Sequence, residues 1–189
     1  MKNSAFITGQ VPITKEEVRA ISLNKLELKN KKSFLDIGAG TGTVGIEAAH
    51  TYHQLTVWAV EQNPKAIEVI KKNVDKFKLS NYNLIEGTAP MPFRGTVDAI
   101  FVGGSSGKLE EIMKWSYELL TPGGHLVTNF LLIENFYEAL GILKQIGFKN
   151  VEATLLSVCK LEKLGQGEYF KPFNPIYILS GQKEEGCYE

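Results

Sequence analysis

The stretch LDIGAGTG, residues 35–42, is the strongest indication of the fold, because it joins a short apolar run to a segment with helical character. Its glycines stand at every second position, Gly38, Gly40 and Gly42. Glycine lets a backbone pass close to a ligand, and the helix that follows presents free amides at its N-terminus. A dinucleotide-binding motif places its third glycine one residue later, where Thr43 stands. The spacing therefore predicts a cofactor loop and argues against a dinucleotide.

Outward from this loop, short apolar runs alternate with segments of helical periodicity. Such runs are typical of parallel strands buried on both faces by helices. Asn63 and Pro64 form an N-cap and first-turn pair that opens one helix, and Gly147 is placed to end another. Thr14 precedes Glu17 by three residues, the capping-box spacing for a helix over PITKEEVRAISL. The pattern predicts a mainly parallel α/β sheet.

The end of the chain departs from this alternation. The runs NVEATLLSVCKL (150–161) and NPIYILSGQK (174–183) have no helix between them, which predicts an antiparallel pair. The sequence EKLGQGEYFKPF (162–173) is expected to be the loop that joins them. Upstream, the Pro-Gly-Gly sequence at 122–124 predicts a turn between a helix and the fifth strand. Residues 184–189 are expected to be a loose tail.

The composition excludes several classes of partner. The 189 residues suit one domain over residues 1–189, and 21 basic against 21 acidic side chains leave no global field to gather nucleic acid or a membrane surface. Cys159, Cys187 and the three scattered histidines lack metal-ligand spacing, so we expect no metal site. The chain contains no apolar run typical of a signal peptide or a membrane span, which makes a cytoplasmic location the default expectation.

Three motifs together resemble those of class I S-adenosylmethionine-dependent methyltransferases. Asp36 precedes the alternating glycines by two residues, as in motif I of that superfamily. Glu61 ends the second strand, where a carboxylate can accept hydrogen bonds from both ribose hydroxyls. The sequence LLTPGG precedes the fifth strand, as is common in the superfamily. The resemblance implies a Rossmann-like α/β fold with a mainly parallel seven-stranded sheet, an antiparallel last strand and helices on both faces.

The resemblance also implies S-adenosylmethionine as the cofactor and a set of residues to hold it. Many class I enzymes meet the adenine amino group with an acidic residue after the third strand, but EGTAP (86–90) offers Thr88 and Ala89 there, so backbone groups are expected to replace it. The implied cofactor-binding residues are Thr14, Asp36, Gly38, Ala39, Gly40, Thr41, Gly42, Glu61, Thr88 and Ala89.

A narrower resemblance rests on five segments, of which PITKEEVR and FVGGSSGKLEEI (101–112) are the most specific; the others are LDIGAGTGTVGIEAA, VEQNPKAIEVIKKNVDKF and NLIEGTAPMP. Together they are similar to the CbiT family of decarboxylating cobalt-precorrin-6B C-15 methyltransferases of anaerobic cobalamin biosynthesis, and to the C-terminal half of the fused precorrin-6Y methyltransferase. The family implies a tetrapyrrole substrate, a homotetramer, and a separate C-5 methyltransferase as functional partner. It also implies that residues 1–30 contribute to the cofactor site.

The turn after the fourth strand carries no acid, base or metal ligand, and it lacks the (Asn/Asp/Ser)-Pro-Pro-aromatic motif of enzymes that methylate exocyclic amines. A precorrin ring brings its own nucleophilic carbon and its own electron sink, so we expect the protein to position it, and no catalytic residue is assigned. Backbone amides at a helix N-terminus suit its carboxylates. The expected substrate-binding residues are Gly103, Gly104, Ser105, Ser106, Gly107, Lys108 and Asn129, with Arg19, Arg94 and Lys171 as weaker rim candidates and GEYFKPF (167–173) as an aromatic wall.

Two other readings of the sequence stay open. The chain could be another class I methyltransferase acting on RNA or a small molecule, although its neutral charge balance argues against RNA. It could also be a non-catalytic protein that binds S-adenosylmethionine, since a fold does not fix a function. Whether the substrate contains cobalt or is metal-free is likewise open at this point.

Overall fold

The computed structural model describes residues 1–184, and its centre is a seven-stranded sheet in the order β3-β2-β1-β4-β5-β9-β6. The strands of this sheet are β1 (Ser33–Ile37), β2 (Thr56–Glu61), β3 (Tyr82–Glu86), β4 (Val97–Val102), β5 (Leu120–Phe130), β6 (Lys149–Leu156) and β9 (Ile176–Gln182). The helices are α1 (Glu16–Lys25), α2 (Thr43–Thr51), α3 (Pro64–Phe77), α4 (Leu109–Leu119) and α5 (Ile133–Ile146). Two short 3-10 helices, Asn3–Ala5 and Leu28–Asn30, flank α1.

The sheet has the predicted direction and coverage. Strands from β3 to β5 pair in parallel, whereas β9 runs antiparallel to both β5 and β6. One face packs into a core with α1, α2 and α3, and the other packs with α4 and α5. Strand β1 alternates between them, since Phe34 enters the first core and Leu35 the second. The predicted fold class is confirmed.

The strand order also locates the crevice where a ligand would bind. The strands that follow β1 lie on its two sides, with β2 and β3 on one side and β4 and β5 on the other. In open α/β sheets, ligands bind beyond the carboxyl ends of the strands at such a switch point. The glycine loop after β1 and the glycine-serine turn after β4 therefore meet at this edge.

Of the three helix ends predicted from capping residues, those at Asn63 and Gly147 are confirmed and the one at Thr14 is wrong. The Asn63 side chain accepts a hydrogen bond from the Lys65 amide and caps α3, and Gly147 ends α5 with a φ of +105°. The capping box of Thr14 and Glu17 does not form. The N-cap of helix α1 lies one residue later than predicted, at Lys15, whose side chain makes no capping hydrogen bond. The Thr14 carbonyl instead accepts a hydrogen bond from the Arg19 guanidinium, which holds the segment in a different geometry.

Two predictions about the second half were wrong. The Pro-Gly-Gly sequence is not a separate turn, because β5 already begins at Leu120 and carries an irregularity opposite Val97 and Ala99. The expected loop over 162–173 is mostly a hairpin of β7 (Cys159–Leu164) and β8 (Gly167–Pro172), and the expected strand over 150–161 divides between β6 and β7. Residues 185–189 of the expected tail lie outside the described residues. No helix within residues 1–184 is long and apolar enough to cross a membrane.

Candidate functional site

A cleft with a volume of about 140 Å³ opens at the switch point of the sheet. It brings together groups from four predicted segments, namely Gly38, Glu61, Thr88 with Ala89, and the turn after β4. Its floor is apolar and includes Ile37, Val60 and Ile112. Predicted cofactor residues and predicted substrate residues therefore share one cleft, with Gly104, Ser105 and Ser106 forming one wall.

The two glycine segments pack backbone against backbone. Gly38 has a φ of +66°, and its amide donates to the Val60 carbonyl at 2.9 Å. A Cβ atom on Gly38 would lie 2.7 Å from the carbonyl oxygen of Gly104 and 2.9 Å from its nitrogen. The Gly103 amide donates to the Ile37 carbonyl at 2.8 Å. Glycine at position 38 is thus required twice, by its backbone conformation and by the approach of the turn after β4.

Glu61 organises the end of β2. One carboxylate oxygen accepts from the Gly40 amide at 2.7 Å, and the other accepts from the amides of Gln62 and Asn63 at 2.9 and 2.8 Å. The side chain is 8% exposed and borders the cleft. A carboxylate has about four acceptor positions, so roughly one remains for a ligand hydroxyl. The same group can hold the glycine loop and receive a ribose.

Asp36 lies beneath the glycine loop and does not line the cleft. It is 1% exposed, and its Oδ2 accepts from the Gly45 amide at 2.9 Å, while Oδ1 has no hydrogen-bond partner within residues 1–184. Burial raises the pKa of Asp36 to about 7, the Gly45 amide acts against that rise, and the nearby Glu61 carboxylate adds to it. The side chain supports the loop from below.

We expect Asp36→Asn to change how stability depends on pH. Because the folded pKa is raised, the folded state keeps a proton that the unfolded state has lost between about pH 4 and 7, so wild-type stability falls as pH rises through that window. The asparagine variant has no titrating group at this position and therefore lacks this pH-dependent contribution to stability. Its unfolding free energy relative to wild type should therefore rise across the window by on the order of 2–4 kcal/mol, measured by urea unfolding at pH 5 and pH 8. An equal difference at both values would contradict the raised pKa.

The remaining predicted cofactor residues are divided between the cleft rim and the interior. Thr41 and Gly42 are buried under the loop, and Ala39 and Gly40 are partly exposed beside it without lining the cleft. A Cβ on Gly40 would lie 3.8 Å from the Pro12 carbonyl, so the N-terminal segment passes beside the loop. Thr14 lies further along, in a different cavity.

A hydrogen-bonded chain across the cleft was not foreseen from the sequence. The Gln62 side chain donates to Ser106 Oγ at 2.8 Å and accepts from Thr88 Oγ1 at 2.8 Å. It links the ends of β2 and β3 to the turn after β4. The position of Gln62 directly after Glu61 is the only feature of the sequence that could have predicted this role, because glutamine itself has no preference for the end of a strand beside a cleft.

Two further cavities lie on the other side of the turn after β4. One, of about 330 Å³, is lined by residues 103–105 and by the β5–α5 connection, including Leu131 and Leu132. The other, of about 480 Å³, lies between that connection and the N-terminal segment that contains Thr14 and Lys15. Asn129 lines both, and its side chain donates to Ser22 Oγ at 3.0 Å. Gly103 and Gly104 therefore stand between the cleft and the two cavities.

Several predicted donors do not face these spaces. The Gly103 amide is already bound to Ile37, so it cannot hold a carboxylate, whereas no acceptor is found within residues 1–184 for the amides of the other turn residues, 104–107. Lys108 is exposed at the N-cap of α4 and lines none of the three spaces. Arg19 is fully buried and pairs with Glu47, so its prediction as a rim residue was wrong.

Lys171 pairs with Glu162 on the hairpin, and Arg94 is exposed in the β3–β4 connection away from the three spaces. Among residues 1–184, Glu61 is the only titratable side chain that lines the cleft. Within the part of the chain that the structure describes, no group of three or more His, Cys, Asp or Glu side chains could hold a metal ion. The site offers backbone donors, one carboxylate and apolar walls.

This strand order, with an antiparallel β9 and a glycine-lined cleft at the switch point, defines a class I S-adenosylmethionine-dependent methyltransferase fold. A solved S-adenosylmethionine-dependent O-methyltransferase from Thermotoga maritima has the same fold, with a TM-score of 0.77 over 94% of this chain and 68% of its own, at 17% identity.

The family is more specific. The family described as precorrin methyltransferase domain matches residues 5–183. The cobalt-precorrin-6B C(15)-methyltransferase (decarboxylating) of Salmonella typhimurium is 44% identical over 186 residues, which cover 98% of this chain and 97% of that protein. The solved precorrin-6y C5,15-methyltransferase from Geobacter metallireducens is 34% identical, with a TM-score of 0.90 over 97% of each chain. The chain belongs to the precorrin methyltransferase family, and the resemblance seen in the sequence is confirmed.

Proposed function

We propose that the protein transfers a methyl group from S-adenosylmethionine to C-15 of cobalt-precorrin-6B, or its metal-free equivalent, and that the C-12 acetate is lost as carbon dioxide, a step in cobalamin biosynthesis. The observation that carries this proposal is the 44% identity to the Salmonella enzyme over nearly the whole of both chains. The site agrees with it, because a reaction that needs alignment more than acid-base help suits a cleft lined by only one titratable group.

The residues of the cleft fit S-adenosylmethionine. Gly38 lets its loop pack against the Gly104 backbone in the cleft wall, Glu61 has a remaining acceptor position for a ribose hydroxyl, and Thr88 and Ala89 line the cleft and would offer backbone groups to the adenine. When bound, this cofactor supplies an electrophilic methyl group. The role of the chain is to fix the loop, to exclude water with Ile37, Val60 and Ile112, and to hold the acceptor beyond Gly104.

The acceptor belongs on the other side of the turn after β4. The two cavities there adjoin Gly103, and they combine apolar side chains with the amide of Asn129. A flat, partly apolar ring with carboxylate substituents matches this lining. The ring carbon is already nucleophilic, and the conjugated system can accept the electrons left by the departing carbon dioxide, so no side chain needs to act as a base.

The direct experiment supplies cobalt-precorrin-6B and methyl-labelled S-adenosylmethionine to the purified protein. We expect one labelled methyl group and one molecule of carbon dioxide per turnover. Methylation without release of carbon dioxide would remove the decarboxylase activity from the proposal. Binding of S-adenosylhomocysteine without any transfer to the precorrin would favour a non-catalytic binding protein or another acceptor, such as RNA or a small molecule.

The protein is further proposed to be a cytoplasmic homotetramer that works beside a separate C-5 methyltransferase. The β7–β8 hairpin supports self-association, because it is separate from the main sheet and exposes the apolar residues Leu161, Leu164 and Phe170. Phe170 is 68% exposed. An isolated two-stranded hairpin is at best marginally stable in water, so a second copy packed on it would stabilise it. We expect sedimentation velocity to give a tetramer for the wild type and smaller species for Phe170→Glu; a monomeric wild type would contradict this assembly.

A further inference from the structure

The largest of the three spaces at the carboxyl edge of the sheet contains a single charged residue. Its volume is about 480 Å³, and it lies beside Gly103 at the end of β4. Most of the lining is apolar, with Phe101, Phe130 and Ile176 among the walls. Of the residues that the structure describes, Lys15 contributes the only charged side chain to that lining. The cavity therefore combines a surface for a flat ring with one positive charge.

The ammonium group of Lys15 has no carboxylate partner within residues 1–184. It donates to the Asn174 carbonyl at 3.4 Å and lies over the Phe173 ring, whose centroid is 4.8 Å away. Neighbouring cations differ in this respect. Lys160 pairs with Glu17 at 2.8 Å, and Lys171 pairs with Glu162 at 3.0 Å. At least one of the three N–H donors of Lys15 is thus free to bind an anion.

The stability of helix α1 does not account for a lysine at this position. Lys15 is the N-cap residue, where serine, threonine, asparagine and aspartate are preferred because their side chains accept from the first amides. A positive charge at a helix N-terminus is also opposed by the macrodipole, which the next two residues, Glu16 and Glu17, complement. The cation is placed against the local preference of the helix and in the lining of the cavity.

We propose that Lys15 is a specificity-determining residue whose ammonium group binds an acetate or propionate carboxylate of the tetrapyrrole acceptor. This inference rests on the proposed function. The ring would lie against the apolar walls of the 480 Å³ cavity, with Asn129 and the turn at Gly103 between it and the cofactor cleft. The carboxylate would add to the existing contact with the Asn174 carbonyl or replace it. This role differs from cofactor binding, because Lys15 does not line the cleft.

The test measures binding of uroporphyrin III, a fluorescent tetrapyrrole with acetate and propionate side chains, to the full-length protein in the presence of S-adenosylhomocysteine. The variants are Lys15→Met, which keeps the length of the side chain, and Lys15→Arg, which keeps the charge. Lys160→Met is the matched control, because this lysine is near α1 but is already paired. We expect Lys15→Met to weaken porphyrin binding about tenfold and Lys15→Arg to restore most of it, since a charge-assisted hydrogen bond is lost and regained.

The other measurements separate binding from folding. S-adenosylhomocysteine affinity and the melting temperature should stay at wild-type values in all three variants. Porphyrin binding by Lys15→Met equal to wild type, equal losses in Lys15→Met and Lys160→Met, or no binding by the wild type would each overturn the assignment of Lys15. A wild type that binds the porphyrin through Lys15 but transfers no methyl to cobalt-precorrin-6B would overturn the proposed function and leave this assignment standing.

Discussion

Replacing Gly38 with alanine should remove detectable cofactor binding and with it methyl transfer. Alanine must adopt a φ of +66° at this position, and its Cβ would lie 2.7 Å from a backbone oxygen of Gly104. Left-handed backbone costs a non-glycine residue about 1–2 kcal/mol. The collision is with backbone, so no side chain can rotate away, and the loop after β1 must separate from the turn after β4. We expect the affinity for S-adenosylhomocysteine, measured by isothermal titration calorimetry, to fall by more than about 1,000-fold.

Gly141→Ala is the matched control for this substitution. Gly141 lies within α5, and apart from its chain neighbours and the backbone of its own helix, a Cβ there would have no heavy atom of residues 1–184 within 4 Å. Alanine in a helix interior is favoured over glycine by about 0.5–1 kcal/mol, so this variant should be as stable as wild type or slightly more stable. Its cofactor affinity should not change. If Gly38→Ala bound the cofactor as tightly as Gly141→Ala, the close approach of the two glycine segments would not be needed for binding.

The features that could be predicted from the sequence depend on neighbours in the chain. Asn63 caps α3 through the amide two residues ahead, and Gly147 ends α5 through its own φ. The glycine loop followed a strand and preceded a helix, as its motif requires. Thr14 shows the limit of such rules. Its spacing to Glu17 fitted a capping box, but the Arg19 guanidinium binds its carbonyl and the helix begins after it.

The features that were missed depend on residues far apart in the chain. A charged residue is assigned to the surface by default, and Arg19 is buried because Asn3 and Glu47 bring it acceptors. Strand β8 gave no clear strand signal, because a strand exposed on both faces lacks an apolar alternation. The contact between Gly38 and Gly104 joins two loops 66 positions apart. The sequence showed that both positions are glycine but not that they touch.

The same distinction separates the two lysines near the site. Lys108 follows the glycine-serine turn directly, so proximity in sequence suggested it, yet its side chain is exposed at the N-cap of α4 and lines none of the three spaces. Lys15 is almost ninety residues from that turn and lines the cavity beside it. Proximity along the chain is a poor guide to which cation a substrate meets, because parallel strands bring distant connections to one edge.

Glu61→Gln should produce the second largest loss. The carboxylate of Glu61 accepts three backbone hydrogen bonds: Oε2 accepts from the Gly40 amide, and Oε1 accepts from the Gln62 and Asn63 amides. In glutamine one of these oxygens becomes an NH₂ group, so a donor faces a donor and at least one partly buried amide loses its acceptor, at a cost of about 1–3 kcal/mol. The charge available to a ribose hydroxyl is lost as well. Together these effects should weaken S-adenosylhomocysteine binding by about 100- to 1,000-fold.

The neighbouring strand provides a control that isolates the role of this carboxylate. Glu86 is the register partner of Glu61 on β3, but it is half exposed and pairs with Lys71 on the surface. Exposed ion pairs contribute about 0–1 kcal/mol, so Glu86→Gln should change cofactor affinity by less than about twofold. Equal losses in both variants would indicate a general effect of charge at this edge. Wild-type affinity in Glu61→Gln would mean that the carboxylate neither holds the glycine loop nor meets the ribose; a large loss confined to Glu61→Gln would show that cofactor binding depends on this carboxylate.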